Sequence, residues 1–417
     1  MSKIATRRGD SKTLRILFVA FGSSPHTARW ISQLNGQNWD IHLFPVDEYY
    51  LYPGLRDVTV HMLFRHDSPW IDSSVRQSTL WWPFQRGRTR IRKSLQGLRG
   101  DPMSASARLA RLIRWLKPDI VHSLEMQHGA YLALASREIL NGIFPPWIYS
   151  SWGSDIYYYG KQPEHERRIR SVLTACDYLI CDAQRDVDLA REFGFKGEVL
   201  GVFPGAGGLD IDYMQQFRQE RPLSARRVIA LKGRQSHLGG QALVALKALQ
   251  MCADALGEYE IVIYMPQGDS IVSSAARYIA FATGVRFRIM SENSPYEEIV
   301  KLMGSARLAL SIGMTDGTPL SMLEAMVMGA FPIQSNTADT RGWIEDGKNG
   351  LLVPPEDAEA IAAAIRKAVS DDRMVDEADL MNEKLTRERL DRSVVTPRVI
   401  EMYKRVAVRE HSAKRRK

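Results

Sequence analysis

Two carboxylates, Asp316 and Glu324, stand eight positions apart in the stretch TDGTPLSMLEAM, residues 315–326. The apolar segment before them, LALSIG, reads as a strand. The segment from residue 318 onward reads as a helix with Thr318 at the N-cap, Pro319 at the first helical position and Gly329 as terminator. Asp316 then lies just before the helix and Glu324 in its second turn. The first-turn N–H groups between them have no carbonyl to bond and share the positive end of the helix dipole, which makes a site for phosphate. A phosphate held there has a hydrogen-bond acceptor on each side, so a sugar would sit on one flank of a diphosphate and a ribose on the other. A second stretch, LKGRQSHLGGQ at residues 231–241, adds cations: Lys232 and Arg234 flank Gly233 at the end of the strand-like run VIALKG.

The elements that position these groups are legible as apolar runs alternating with helical stretches. TLRILFVAFG, WDIHLFPV, PDIVHSLE, PWIYSSWG, DYLICDA and EVLGVFPG read as buried parallel strands in the first half. VIALKG, EIVIYM, VRFRIM, LALSIG, AFPIQS and GLLVPP repeat the scheme in the second. Helical segments such as ASARLARLIRWL and QALVALKALQMCADAL intervene, so the fold class is α/β with two Rossmann-like domains. We divide the chain into a basic tail (1–12), an N-terminal Rossmann-like domain (13–210), a polar linker (211–227), a C-terminal Rossmann-like domain (228–390), and a last helix with a basic tail (391–417). The last helix is a candidate to pack back on the N-terminal domain. Ligands belong at the carboxyl ends of the strands, facing the cleft.

Composition narrows the function. The chain has 417 residues, 45% of them hydrophobic, enough for more than one core. No apolar run approaches the roughly 20 residues that span a bilayer, and the N-terminus lacks a small-residue cleavage site, so the expected location is cytoplasmic. The three cysteines, Cys176, Cys181 and Cys252, have no metal-binding spacing and read as buried thiols. The net charge of +8 gathers at both tails and in residues 80–100. That segment has no acid, and Trp81, Trp82 and Phe84 precede Arg86, Arg88, Arg90, Arg92 and Lys93. It suits contact with an anionic membrane surface, on which the protein would be peripheral, or a solvated basic loop. No nucleic-acid recognition motif accompanies the charge. The D-x-D match at Asp210–Asp212 falls in the linker, the GAGG run at Gly205–Gly208 lacks the spacing of a dinucleotide loop, and no metal site or resident cofactor is expected.

DGTPLSMLEAMVMGAFPI, with IEDGKNGLLVPPEDAEAIAAAI after it, resembles the donor-binding segment of the retaining GT-B glycosyltransferases of glycosyltransferase family 4, the glycosyl transferases group 1. The resemblance is strong over residues 305–370, recognisable from residue 228, and reduced to LRILFVAFG, PDIVHSLE and WGSDI at family-like places before that. It implies a GT-B fold, two Rossmann-like domains with parallel sheets facing a central cleft. It also implies a metal-independent, retaining sugar transfer from a UDP, GDP or ADP sugar, used as co-substrate, to a glycan or lipid-linked acceptor. Glu324 matches the acid that holds the ribose. Asp316 matches the acid that contacts the transferred sugar, one methylene shorter than the family's Glu. Gly233, Arg234, Gly317, Thr318, Pro319 and Leu320 fall in the donor segment, Gly239 stands where the family has lysine, and Lys232 is the substitute for that charge.

In the N-terminal half, Gly22, Ser23 and Ser24 come directly after the first strand and would let a donor phosphate or the acceptor approach the backbone. Trp152 stands where the family has His, and either stacks on a sugar or fills the core. His26, His122, Glu125, His128 and Asp155 are further acceptor-side or sugar-side candidates. Two other functions fit the same residues: a GT-B nucleotide-sugar epimerase, which would turn over donor without acceptor, and an inactive sugar-nucleotide-binding partner.

Overall fold

The computed structural model describes residues 13–47, 50–63, 65, 68–79, 104–141, 143–236, 239–266 and 271–415. The basic stretch 80–100 therefore lies outside the described residues. The N-terminal sheet comprises β1 (Arg15–Ala20), β2 (Asp40–Pro45), β3 (Thr59–Met62), β4 (Arg76–Thr79), β5 (Ile120–Leu124), β6 (Trp147–Ser150), β7 (Tyr178–Cys181) and β8 (Glu198–Val202). Its eight strands are ordered β4-β3-β2-β1-β5-β6-β7-β8 and pair in parallel. The C-terminal sheet comprises β9 (Val228–Lys232), β10 (Glu260–Tyr264), β11 (Arg286–Ile289), β12 (Leu308–Ser311), β13 (Phe331–Ser335) and β14 (Leu351–Val353). Its order is β11-β10-β9-β12-β13-β14, again parallel. Strand order reverses at β1/β5 in one sheet and at β9/β12 in the other, and ligands of doubly wound sheets bind beyond such points.

Helices cover both faces because these strands are apolar on both faces. Ile16, Leu17, Phe18 and Val19 of β1 are all fully buried, and so are Ile229, Ala230 and Leu231 of β9. β3 and β4 add two strands beyond those read from the sequence; the pattern in β4, RQST, is exposed at both ends. The polar connection after β8 is packed rather than free: Leu209, Ile211 and Met214 enter the C-terminal core beside Ala230 and Met322. Asp210 caps the short helix Ile211–Gln215 by accepting the Tyr213 N–H at 3.1 Å, and Asp212 pairs with Arg387. The three thiols are free and buried.

The final helix, Arg392–Arg415, returns to the N-terminal domain, where Val395, Val399, Met402, Tyr403 and Val406 join the core around Phe18 and Trp30. Its entry runs beside the first crossing, with the Arg392 N–H bonded to the Leu209 carbonyl at 2.8 Å and the Leu209 N–H to the Leu390 carbonyl at 2.9 Å. The Tyr403 hydroxyl accepts from Trp30 Nε1 at 2.9 Å and meets His122 Nδ1 at 2.6 Å, while His122 Nε2 meets Ser150 Oγ at 2.7 Å. His122 is thus a core residue away from the cleft, and complete burial lowers its pKa to about 3. No helix among the described residues is long and apolar enough to cross a membrane.

Candidate active site

The donor-segment helix runs Leu320–Val327, with Pro319 in the capping place and no side-chain cap. Thr318 is therefore not the N-cap. A tertiary partner outcompetes the local one: its hydroxyl donates across the cleft to the Asp182 carbonyl at 2.7 Å and lies 3.3 Å from the Asp339 carbonyl. The helix start still presents its first-turn N–H groups without carbonyls a turn behind them. Lys232, the last residue of β9, stands over that start with Nζ 3.2 Å from Ser321 Oγ. Gly233 ties the turn to β10, its N–H bonded to the Tyr264 carbonyl at 2.8 Å, and Arg234 comes next.

Three chambers share these two cations in their walls. The middle one, about 220 Å³, is lined by His26, Trp152, Lys232, Arg234, Asp316 and the 317–321 turn. A second, about 250 Å³, opens on the other side of the helix start and holds Arg29, Tyr52, Tyr264, Tyr296 and Glu324 together with the same Lys232 and Arg234. A third, about 500 Å³, extends past Asp316 to Ser154, Tyr158, Tyr159, Ser236 and Gly239, again with Lys232 and Arg234. The two carboxylates open onto different chambers, with the two cations shared between them.

His26, on the helix Pro25–Ser32, is held down to a pKa of about 4, mainly by burial and then by the charges of Arg29 and Lys232, so it stands in the cleft as a neutral imidazole. Its ring lies 5.5 Å from that of Trp152, which also packs against the N-terminal core. One turn on, Arg29 reaches across the cleft to Glu324 at 3.3 Å and lies 4.1 Å over the Tyr296 ring. Neither Arg29 nor Tyr296 was singled out in the sequence. The available signal was position: Arg29 falls three residues after His26, on the same helical face.

The remaining candidates divide into two groups. Gly22 and Ser23 both donate to Asp47 at the end of β2, Gly22 through its N–H at 2.8 Å. Glu125 ends β5 with φ 70° and accepts the N–H groups of Gln127, His128 and Gly129 at 2.9, 2.8 and 3.3 Å. It also holds His128 Nδ1 at 3.1 Å, and that hydrogen bond raises the His128 pKa. These residues share the carboxyl end of the N-terminal sheet and line none of the three chambers. Asp155 is buried: Oδ2 accepts from the Met126 and Trp152 N–H groups, each at 2.9 Å, and from the Tyr149 hydroxyl at 3.0 Å. It fixes the SSWGSD loop so that Trp152 and Ser154 face the cleft, while burial and the nearby Glu125 charge push its own pKa up. Among the described residues, no group of three or more His, Cys, Asp or Glu side chains is arranged to hold a metal ion.

Two family models match the chain: Glycosyl transferase 4-like over residues 15–183 and Glycosyl transferases group 1 over residues 283–385. A D-inositol 3-phosphate glycosyltransferase of Corynebacterium urealyticum is 25% identical over 237 residues, 51% of this chain and 53% of that protein, so the match spans about half the length of this curated relative. Among solved structures, sucrose-phosphate synthase from Thermosynechococcus elongatus superposes with a TM-score of 0.65 at 15% identity, covering 94% of this chain and 99% of that one. HepE of Anabaena, in complex with UDP and glucose, gives 0.63 at 15% identity, covering 93% and 98%. An α,α-trehalose 6-phosphate synthase from Burkholderia multivorans gives 0.67 at 13% identity, covering 96% and 98%. The paired parallel sheets and the cleft between them give the chain the GT-B fold, and the two family models that it matches, one in each domain, both describe glycosyl transferases.

Proposed function

We propose that this protein transfers a hexosyl group from a nucleoside-diphosphate sugar to an acceptor held by the N-terminal domain, with retention of configuration and without a metal ion. The observation that carries the reading is the placement of Lys232 and Arg234 beside an open helix start, with Asp316 and Glu324 facing different chambers on either side. In this reading the diphosphate lies on the helix start and the cations. Glu324 takes ribose hydroxyls in the aromatic chamber, sharing them with Arg29, and Asp316 takes a hydroxyl of the transferred sugar. The anomeric C–O bond breaks with its electron pair passing to the phosphate, and the acceptor oxygen bonds to the same face of that carbon. The acceptor proton passes to the leaving phosphate. Lys232 and Arg234 stabilise the charge that develops, the work a metal ion does at other such sites. HepE was solved with UDP, which makes uridine the first base to try.

The decisive experiment titrates UDP, GDP and ADP by calorimetry with a chelator present, then monitors transfer from the matching hexose donor and reads the product anomer by NMR. Binding of one nucleotide in chelator and an unchanged anomeric configuration are expected. An inverted product or a requirement for a divalent ion overturns the reading. Donor epimerised without acceptor identifies an epimerase, and donor bound but never consumed an inactive partner. The acid-free stretch 80–100 belongs to the same proposal as a membrane contact near a lipid-linked acceptor.

A further inference from the structure

The aromatic chamber is walled by both domains. Tyr264, Tyr296 and Glu324 belong to the C-terminal wall, and Arg29 and Tyr52 face them from the N-terminal side. Arg29 is held in two ways. Its Nη1 lies 3.3 Å from Glu324 Oε1, and its Cζ stands 4.1 Å over the Tyr296 ring, so the flat guanidinium rests on an aromatic face while one edge meets the carboxylate. A charge-assisted N–H···O bond is ordinarily about 2.7–2.9 Å long, so this one is slack. It takes up one of the five N–H groups that a guanidinium offers.

The two groups are chemical opposites. A guanidinium only donates hydrogen bonds and an ionised carboxylate only accepts them, whereas a hydroxyl does both. A vicinal diol therefore suits the place between them, its hydroxyls giving their protons to Glu324 and taking N–H groups from Arg29. Ribose presents such a diol at C2′ and C3′.

The helix that carries Arg29, Pro25–Ser32, is tied to both places where the chain crosses between domains. Trp30 Nε1 donates to the Tyr403 hydroxyl of the final helix at 2.9 Å. Gln33 Oε1, one residue past the helix, accepts the Gly208 N–H at 3.3 Å beside the first crossing. Ala28, Trp30 and Ile31 are buried in the N-terminal core. Arg29 cannot follow Glu324 without carrying that domain along. We propose that Arg29 is the ribose-binding residue of the N-terminal domain: it and Glu324 clasp one ribose diol from opposite domains, so that binding a ribonucleotide draws the domains together. The proposal rests on the nucleotide-sugar reading for the ribose at Glu324 and needs nothing from the transfer step.

Calorimetry on the full chain compares wild type, Arg29→Ala and Arg29→Lys with UDP, GDP and ADP, and with the 2′,3′-dideoxy form of whichever binds. Fluorophores on the two domains report their separation in the same samples. Wild type should prefer the ribonucleotide by roughly 10- to 100-fold, the scale of hydrogen bonds to charged groups. Arg29→Ala should lose about tenfold or more with the ribonucleotide and keep its affinity for the dideoxy form within about twofold. Arg29→Lys keeps the charge without the flat fork and should restore only part of the loss. The ribonucleotide should shorten the interdomain distance in wild type, and neither the dideoxy form nor Arg29→Ala should show that shortening. Equal losses with both nucleotides in Arg29→Ala mark a merely structural role and overturn the proposal, as does a wild-type distance that the ribonucleotide leaves unmoved. Tighter ribonucleotide binding by Arg29→Ala also overturns it, since the pair is then a lock that the nucleotide must break. If the ribose preference depends on Arg29 but no sugar is ever transferred, the transferase reading falls and the clasp stands. Sugar transfer with a ribose preference untouched by Arg29→Ala removes the clasp alone, and if none of the three nucleotides binds, both fall.

Discussion

Gly317 separates the sugar-side carboxylate Asp316 from Thr318, and the opposite domain leaves it no space. A Cβ at this position would stand 2.6 Å from both Asp182 oxygens, inside the 3.0 Å that real Cβ atoms essentially never cross. The residue is not in the left-handed region, so alanine fits its own loop. The clash of Gly317→Ala arises only when the domains meet. Overpacking of this kind costs about 1–3 kcal/mol, which as a loss of the closed state is roughly 5- to 150-fold in rate. Gly153 makes the same contact from the other side, where a Cβ would run into the Gly317 peptide. We expect kcat/KM for Gly317→Ala to fall within that range, with the melting temperature unchanged. Nucleotide affinity in calorimetry should stay near wild type, because Lys232, Arg234 and Glu324 all belong to the C-terminal domain. Adding Gly153→Ala should cost little beyond the worse single variant, since both lesions open one contact. A fully active Gly317→Ala enzyme, or a loss of nucleotide affinity as large as the loss of rate, would refute the argument that the closed seam assembles the sugar site.

Other perturbations reach the remaining parts of the site. Arg234→Ala should lower kcat by about a hundredfold or more, as for other groups that meet developing charge; near-normal turnover removes it from the diphosphate. Glu324→Ala should weaken nucleotide binding by about 1–3 kcal/mol, and unchanged affinity ends the ribose assignment. His122, His26 and His61 have pKa values lowered to about 3, 4 and 4 by burial, so the folded chain binds fewer protons than the unfolded one as pH falls below about 6.5. Their stability contribution is complete above that pH and shrinks below it. His122→Gln should lessen the acid dependence of denaturant unfolding between pH 6 and 4 by about 1.4 kcal/mol per pH unit, and an unchanged slope refutes this. Replacing Arg88, Arg90, Arg92 and Lys93 by Ser should abolish low-salt sedimentation with anionic vesicles while leaving donor hydrolysis intact; sedimentation equal to wild type makes the stretch a solvated loop.

How much of this fold is legible in the sequence depends on burial. β1, β9 and β12 are buried on both faces, so their apolar runs announce themselves, and the spacing of such runs is enough for two parallel sheets. β4 at the sheet edge has a polar pattern, RQST, and in β3 beside it, TVHM, Thr59 and His61 alternate with Val60 and Met62, so neither carries that signal. The same logic separates the legible half of the site from the rest. Asp316, Glu324 and the helix start lie within one local segment, where capping rules and the hydrogen bonding of a first turn apply without knowing the partner domain. Even there, the reading of Thr318 as a cap failed because a carbonyl from residue 182 offered a partner that local rules do not contain.

Arg29 and Asp182 are silent in sequence for the same reason. A basic residue on an amphipathic helix and an acid at a strand end are ordinary in isolation. They acquire meaning only when the other domain supplies Glu324 to one and Gly317 to the other. Each contact joins residues more than a hundred positions apart, from separately cored domains. The proposed donor site is therefore written locally in the C-terminal domain, while the contacts that join it to the N-terminal domain are written in pairs of residues that have no reason to be noticed until the domains meet.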